Sequence, residues 1–522
     1  MTKIYRFFAK GAEILSLVFM SILLLSAFLI TSYVDEMSIQ AVKLRWDSPL
    51  VNLLGLALIL LLFAGFLQLA KKNFKLAKKV MLIVVSLWIL LAGVLLIFFG
   101  RTIPAADPYT VYHVSNLLAL GDTSVIHPTQ SYLSYYPQQI GLVAFYEPLI
   151  RLWNLLPINY EAYHFFKIVY VFLGFVIFYA QYFTVQFLFK SDKADLIYLC
   201  IAGLNFPFLM YTSFIYSEIP SFAAASVGLY LFFRMVAATN EANRKQSILF
   251  ALLSVLFLAL SVMLRKNSLI LIIAVVIISF LVWIKDCKKY ILLLFTVLCI
   301  VCSLSILPVT QKVYELRAGN TLSSGVPAMN YFAMGMQDAG RGCGWYNAFN
   351  ILTYEESGMD TAKSVAVSKA AIAERLEYFR DNPDYAVNFY LQKFLGQWTD
   401  GTYACRQATH ANFGGRHAIF TSIYEGELGP AFVQYCNIYQ IFIYLGGFLF
   451  CLGLFTKKMN TFQIDHLSLL VGLITVFGGF LFHMIWEASG RYIFPYGMML
   501  IPFAAKGIEW LLELLDTFRH HK

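Results

Sequence analysis

The chain has 522 residues, of which 59% are hydrophobic and 13% are charged, and its formal net charge is +9. A soluble globular domain carries about 25% charged residues, so the composition excludes that class. Apolar runs of about 20 residues recur, each long enough to cross a hydrocarbon core of roughly 30 Å. Backbone groups in lipid must pair within their own segment, so the sequence predicts an all-α polytopic membrane protein.

Apolar segments are predicted to span the membrane at about 12–33, 50–70, 80–100, 161–189, 195–213, 219–238, 247–264, 268–284, 290–308, 434–455, 462–485 and 493–515. The Lys and Arg residues concentrate in the short loops beside these spans. This pattern is typical of topology determinants and does not indicate nucleic-acid binding.

A further apolar stretch, 138–154, is placed by the rule that short cytoplasmic loops carry the Lys and Arg residues. If 138–154 does not cross, both termini and nearly all basic clusters of short loops are cytoplasmic. If 138–154 crosses, every later loop changes sides, and the Lys and Arg clusters of these loops become extracytoplasmic. We therefore predict about twelve spans with both termini cytoplasmic, and a juxtamembrane or re-entrant helix at 138–154.

We divide the chain into four regions. Two transmembrane helices (1–79) precede a transmembrane core (80–308) that contains a large extracytoplasmic loop (101–160); an extracytoplasmic segment (309–433) and the C-terminal transmembrane helices (434–522) follow. Helical patterning around 360–396 breaks at Asn382-Pro383. Cys343 and Cys405 both lie in 309–433, and they form either a disulfide or two free thiols.

Isolated acids and bases gather at the predicted extracytoplasmic face. They are Asp107, Lys167, Glu218, Arg265, Lys266, Glu487 and Arg491. Charged groups at membrane depth are costly and therefore indicate function. Structural alternatives remain: a helix cap for Asp107, snorkelling for Lys167, an ion pair for Glu218, lipid phosphate binding for Arg265 and Lys266, and a helix-end pair between Glu487 and Arg491.

Such a set suits a phosphosugar that is attached to a lipid in the outer leaflet. When the glycosidic bond breaks, charge develops on the leaving phosphate, and fixed Arg and Lys side chains stabilise it. The acceptor hydroxyl needs a base, and a carboxylate in low-dielectric surroundings has a usefully raised pKa.

Several stretches resemble integral membrane glycosyltransferases of the GT-C type. "ADPYTVYHVSNLLALGD" with "YLSYYPQQIGLVAFYEPLI" is similar to their first extracytoplasmic loop, "YSEIPSF" to a second acidic site, and "MLRKNSLIL" to a basic turn that contacts the donor phosphate. "ASGRYIFPYGMMLIPFAA" resembles the last helices of the mannosyl- and aminoarabinosyl-transferase-like branch. "NYFAMGMQDAGRGCGWYNAFN" and "QKFLGQWTDGTY" resemble Gram-positive members that decorate cell-envelope polymers.

The resemblance implies an inverting transferase in the bacterial plasma membrane, with an extracytoplasmic site and a GT-C-like helix bundle. Its donor would be a polyprenyl-phosphate sugar, its acceptor a cell-envelope polysaccharide, teichoic acid, lipid or protein, and no cofactor would be obligatory. The implied catalytic residues are Asp107 and Glu218. The implied donor phosphate-binding residues are Lys167, Arg265, Lys266 and Arg491, and the substrate-binding residues are Tyr136, Gln138, Gln139, Trp345, Tyr346, Glu487 and Tyr492.

Two departures from the family pattern affect this assignment. Two spans precede the loop instead of one, so Asp35 and Glu36 in "DEMSIQ" are rivals for the first acidic site. Asp107 stands without an acidic neighbour, so we expect no metal ion.

Two other functions fit a chain of this kind. A transporter or flippase of lipid-linked sugars would show an internal repeat and charges near mid-membrane. A polymerase or ligase of envelope glycans would use the late cluster of Arg406, His410, Arg416 and His417.

Overall fold

The N-terminal region consists of long helices joined by a β-hairpin. The computed structural model describes residues 2–34, 41–129, 131–158, 160–459, 462 and 464–520. Helix α1 (Thr2–Leu29) is followed by the antiparallel strands β1 (Ile30–Val34) and β2 (Val42–Trp46), then by α2 (Pro49–Ala70) and α3 (Phe74–Leu95), which ends in a π-helical turn (Leu96–Gly100). Thr31 Oγ1 and Asn437 Nδ2 each donate to Asp47 Oδ2 at 2.6 Å, which fastens the hairpin to the C-terminal half.

The loop between the third and fourth predicted spans is helical. It contains α4 (Asp107–Ala119), α5 (Tyr132–Tyr135), a 3₁₀ turn (Pro137–Gln139) and α6 (Ile140–Asn154). Helix α6 has 15 residues and is about 22 Å long, which is too short to cross the bilayer. Its position relative to the bilayer stays a prediction.

Glu147 fixes α6 to its neighbours. The residue is 4% exposed, and its carboxylate accepts a hydrogen bond from Tyr314 Oη at 2.6 Å and pairs with Arg317 Nη1 at 2.5 Å and Arg151 Nη2 at 2.8 Å. Both arginines also donate to Leu118 O at the end of α4. These contacts therefore hold α6 against the end of α4.

The transmembrane core continues with α7 (Tyr163–Phe189), α8 (Asp192–Gly203), α9 (Phe206–Tyr211), α10 (Glu218–Asn240), α11 (Arg244–Leu264), a 3₁₀ turn (Lys266–Ser268), α12 (Leu269–Lys285) and α13 (Tyr290–Ala318). The predicted span 195–213 is broken between α8 and α9. Asn205 Oδ1 accepts a hydrogen bond from Phe208 N at 3.1 Å, and Pro207 occupies the first turn of α9, so a second helix starts there.

The segment 309–433 is mostly helical. It contains α14 (Ala328–Gly335), a short hairpin of β3 (Asp338–Ala339) and β4 (Gly342–Cys343), α15 (Phe349–Glu356), α16 (Thr361–Asp381), α17 (Pro383–Trp398), α18 (Cys405–Ala408) and α19 (Ala418–Glu425). The predicted break at Asn382-Pro383 is confirmed.

A disulfide between Cys343 and Cys405 is not formed, and of the two alternatives the structure shows free thiols. Cys343 Sγ lies 3.7 Å from Gln392 Oε1. Cys405 Sγ lies 3.5 Å from Met210 Sδ. The two thiols sit on separate elements, a fact that sequence spacing does not reveal.

The chain ends with α20 (Leu428–Phe455), α21 (His466–Leu469), α22 (Val471–Ile485) and α23 (Gly490–His520). Helices α20 and α23 approach with their backbones in contact, because a Cβ on Gly507 would lie 1.9 Å from Gly446 O. This contact fixes α23, whose first turn carries Arg491.

Within the described residues, nine helices are long and apolar enough to cross a membrane, namely α1, α2, α3 with its π-helical turn, α7, α10, α11, α12 with the preceding 3₁₀ turn, α13 and α20. The other predicted spans correspond to the broken pair α8–α9, to α22 and to α23. The fold is thus an all-α polytopic membrane protein, while the number of twelve spans stays a prediction.

Candidate active site

Three of the predicted acids and bases meet at one end of the helix bundle. Glu218 begins α10, Arg265 directly follows α11, and Arg491 is the second residue of α23. The lysine-rich turns lie at the opposite end, where Lys289 Nζ donates to Asn240 Oδ1 at 2.8 Å. The antiparallel path of α10 and α11 therefore places Glu218 and Arg265 side by side.

Glu218, Arg265 and Arg491 form one buried ion cluster, which we call the arginine clamp. The Glu218 side chain is 0% exposed; its Oε1 lies 2.5 Å from Arg265 Nη1 and 3.4 Å from Arg491 Nε. Arg265 Nη1 also donates to Ser217 Oγ at 2.9 Å. Two guanidinium groups share one carboxylate, so the clamp has a net charge of +1 and suits an anion.

Tyr492 connects the two arginines. Its ring centre lies 5.6 Å from the guanidinium carbon of Arg265 and 5.5 Å from that of Arg491. These cation–π contacts restrict the orientation of both guanidinium groups. The predicted helix-end pair between Glu487 and Arg491 is not what the structure shows, because Arg491 pairs with Glu218 and Glu487 bonds to Tyr492.

Asp107 lies near the clamp and near Glu487, and the region between these residues is called the cavity from here on. It is the first residue of α4, and the cap position belongs to Ala106, which has the left-handed φ of 52°. Asp107 is an exposed residue, although protein atoms surround its carboxyl group on most sides. Burial by these atoms raises the pKa of Asp107, whereas the charge of Arg491 and the nearby Tyr132 hydroxyl lower it. Asp107 is therefore a neighbour of the clamp.

Tyrosine side chains line the cavity around Asp107. They are Tyr132, Tyr136, Tyr216, Tyr331 and Tyr346. Burial raises the pKa of each phenol, and the nearby charge of Asp107 raises it further. Gln139 Nε2 donates to Tyr216 Oη at 2.6 Å, and Gln138 is half-buried beside it.

Glu487 lies in the turn between α22 and α23. Its Oε1 accepts a hydrogen bond from Tyr492 Oη at 3.0 Å. Burial raises the pKa of Glu487 to about 7, against the hydrogen bond from Tyr492 and the charge of Arg491, which lower it. At neutral pH this carboxyl is therefore partly protonated and can donate as well as accept a hydrogen bond.

Lys393 supports this turn, and no pattern in the sequence indicates such a role. The residue is 0% exposed, donates to Trp486 O at 2.7 Å, and also donates to Gly335 O. Burial lowers the pKa of Lys393 to about 7. Lys393 thus joins α14, α17 and the Glu487 turn.

Three predicted residues stand apart from the cavity. Lys167 is 2% exposed and lies 5.5 Å from the ring centre of Tyr163, and no described contact joins it to the clamp. Lys266 is exposed beside Arg265. Trp345, one of the predicted substrate-binding residues, is 8% exposed and its indole packs beside Gly342. Asp35 and Glu36 lie outside the described residues.

The late basic cluster is engaged in local structure. Arg406 donates to Tyr424 O, and Arg416 Nη2 donates to Thr409 O at 2.8 Å. His410 Nε2 lies 2.7 Å from Glu425 Oε1, and His417 caps α19. These contacts hold the 405–425 loop together and do not favour the polymerase or ligase function.

The described residues contain no group of three or more His, Cys, Asp or Glu side chains placed to hold a metal ion. The cavity supplies instead guanidinium, carboxyl, amide and phenol groups.

Comparison with known proteins gives a family and a structural likeness. The sequence profile of a family described as "conserved hypothetical integral membrane protein" matches residues 5–506, whereas no curated protein matches. The structure is similar to the archaeal oligosaccharyltransferase AglB from Archaeoglobus fulgidus, solved with an inhibitory peptide and a dolichol-phosphate, with a TM-score of 0.46 and 14% identity over 86% of this chain and 52% of that one. The chain spans about half the length of AglB. By the extent of the profile match, the chain belongs to this family of integral membrane proteins.

Proposed function

We propose that the protein is a glycosyltransferase that moves a sugar from a polyprenyl-phosphate donor to a cell-envelope acceptor. Its site would face outward from the bacterial plasma membrane. One observation carries this proposal: a net-positive arginine clamp lies beside the carboxylate of Asp107, an exposed residue, at the end of the bundle opposite the lysine-rich turns. The reaction needs a positive charge that stabilises the leaving phosphate and a base that takes the proton of the acceptor hydroxyl.

The clamp acts on the leaving group. As the bond between the anomeric carbon and the phosphate oxygen breaks, negative charge grows on the polyprenyl phosphate. Arg265 and Arg491 are already fixed by Glu218 and Tyr492, so they stabilise this charge without reorganisation. Lys266, which is exposed next to Arg265 in the sequence, stays a predicted phosphate-binding residue.

Asp107 acts on the acceptor. Its carboxylate takes the proton of the acceptor hydroxyl while the oxygen attacks the anomeric carbon from the face opposite the phosphate. This displacement inverts the anomeric centre. The raised pKa makes Asp107 a stronger base than a free aspartate, and its openness to solvent leaves room for a large acceptor.

The remaining groups hold the sugar. Tyr136, Tyr346, Gln138 and Gln139 offer hydroxyl and amide groups at the cavity wall, and Glu487 offers a partly protonated carboxyl. Carbohydrate hydroxyls need such mixed donors and acceptors. In this mechanism no cofactor takes part, and the donor's lipid tail lies among the apolar helices.

A transfer assay tests the proposal. Purified full-length protein is mixed with a radiolabelled polyprenyl-phosphate sugar and crude envelope acceptor. We expect Asp107→Asn to lower the rate by about 10²–10⁴-fold. Asp122→Asn is the matched control, because it removes a carboxylate from the same loop, where Asp122 caps a turn through Ser124 N at 2.9 Å. Equal rates for the two variants would contradict the role of Asp107, and no transfer with any donor would contradict the function.

A labelling experiment tests the sidedness. Asn154 is exposed at the end of α6, and Lys72 lies in a turn at the opposite end. In a Cys287→Ser background, Asn154→Cys should react with an impermeant maleimide on intact cells, and Lys72→Cys only after permeabilisation. The reverse pattern would place the cavity on the cytoplasmic side.

A further inference from the structure

A second positive charge lies at the cavity, apart from the arginine clamp. Arg341 occupies the turn between β3 and β4, and its guanidinium carbon lies 5.6 Å from the ring centre of Tyr346. Its charge is close enough to lower the pKa of Glu487, which burial raises. Among the described residues, Arg341 has no carboxylate partner within ion-pair distance, whereas both clamp arginines share Glu218.

The backbone around Arg341 is held from two sides. Arg341 O accepts a hydrogen bond from Val42 N at 2.8 Å, so the N-terminal hairpin supports the turn. On the other side, Gly344 O accepts from Ala488 N at 2.8 Å, which ties β4 to the Glu487 turn. The side chain therefore projects from a fixed position, and its replacement leaves both backbone contacts intact.

We propose that Arg341 forms an anion subsite for the acceptor, so that the transferase acts on acceptors that carry phosphate or carboxylate groups. The inference rests on the proposed function. The clamp already matches the single phosphate of the donor. Arg341 and Asp107 both lie near Tyr346, because the charge of each shifts the pKa of this phenol and the Arg341 guanidinium contacts its ring. An acceptor whose hydroxyl reaches Asp107 therefore brings its neighbouring groups to Arg341.

A guanidinium fits this task well. It remains charged at all physiological pH values and presents paired N–H donors to phosphate or carboxylate oxygens. The ring of Tyr346 restrains one face of the guanidinium and leaves its edge for the ligand. A second phosphate on the donor has the same chemistry, so the experiment must separate the two sources.

Direct binding tests the subsite without any need for turnover. Calorimetry on the full-length protein compares three probes: a short poly(glycerol phosphate) oligomer, neutral maltohexaose, and farnesyl phosphate for the donor side. The variants are R341Q and R341K. R380Q is the matched control, because it removes an exposed arginine from α16 in the same segment, where Arg380 pairs with Glu377 at 3.0 Å.

We expect R341Q to weaken binding of the phosphate oligomer by about tenfold, as for the loss of one charge-assisted hydrogen bond. R341K should recover most of this loss, and R380Q should bind like the wild type. Farnesyl phosphate binding should be unchanged in R341Q. If wild-type protein then fails to transfer any sugar, the proposed function fails while the anion subsite stands.

Three results would overturn the inference. They are unchanged oligomer binding in R341Q, equally tight binding of maltohexaose and the phosphate oligomer by the wild type, and loss of farnesyl phosphate binding in R341Q. The last result would assign Arg341 to the donor.

Discussion

Replacing Glu218 with Gln tests whether this carboxylate acts on the substrate or holds the two arginines. Glu218 is fully buried and lies 2.5 Å from Arg265 and 3.4 Å from Arg491. Gln has nearly the same size but no charge. In E218Q, two guanidinium groups would therefore face each other without a counter-charge.

The expected loss of stability follows from the exposure of the two arginines. Removing one partner of a buried ion pair costs about 3–5 kcal/mol. The side chains of Arg265 and Arg491 are 11% and 25% exposed, so water and Ser217 replace part of the lost interaction. We therefore expect about 3 kcal/mol. Transfer should fall by about 10²-fold, since a shift of about 1 Å in a positioning group has that effect.

Thermal unfolding and the transfer rate are measured together for E218Q, R265Q and the double variant. The double variant removes one charge of each sign, so it should be more stable than E218Q, while its transfer rate stays low. Glu377→Gln is the control, because it removes an exposed carboxylate in α16 and should change neither property.

If E218Q loses transfer but unfolds at the wild-type temperature, Glu218 contacts the substrate and does not hold the arginines. Additive stability losses in E218Q and R265Q would likewise contradict the clamp, because coupled residues give non-additive effects.

Three further results are expected. Because burial raises the pKa of Asp107, wild-type kcat/KM should fall on acidification at a higher pH than a free aspartate would cause, and D107N should lose this limb of the pH profile. Lys393→Met should lower the unfolding temperature, because two backbone carbonyls lose their donor at a cost of about 1–3 kcal/mol each; an unchanged temperature would remove Lys393 as a support. Dithiothreitol should leave thermal unfolding of the wild type unchanged, because Cys343 and Cys405 are free thiols; a reductant-sensitive transition would contradict the structure.

The clamp could be predicted because its members lie at the ends of consecutive elements. Glu218 and Arg265 begin and end an antiparallel helix pair, so their proximity follows from the chain path alone. Arg491 lies at the start of another helix on the same face. Lys167 is predicted at the same membrane face but lies apart from the clamp. The membrane face of a residue does not determine which neighbouring helices it meets around the bundle.

The residues of 309–433 could not be predicted in the same way. Lys393 and Arg341 are positioned by contacts between distant segments, such as Lys393 Nζ with Trp486 O and Ala488 N with Gly344 O. No periodicity in the sequence encodes such pairs. Nor does the sequence show that the indole ring of Trp345 is buried.

The carboxyl groups of Glu218, Glu487 and Asp107 lie at one cavity but in three different environments. Each environment suits a different role in the proposed reaction. Glu218 is fully buried and engaged by two arginines, so no acceptor hydroxyl can reach it. Glu487 has one oxygen engaged by Tyr492, and its pKa of about 7 leaves it partly protonated, which suits binding of a sugar hydroxyl. Asp107 alone is open to solvent, while the charge of Arg491 opposes the rise of its pKa. A base must be ionised and must be reached by the acceptor, and Asp107 is the carboxylate that meets both conditions.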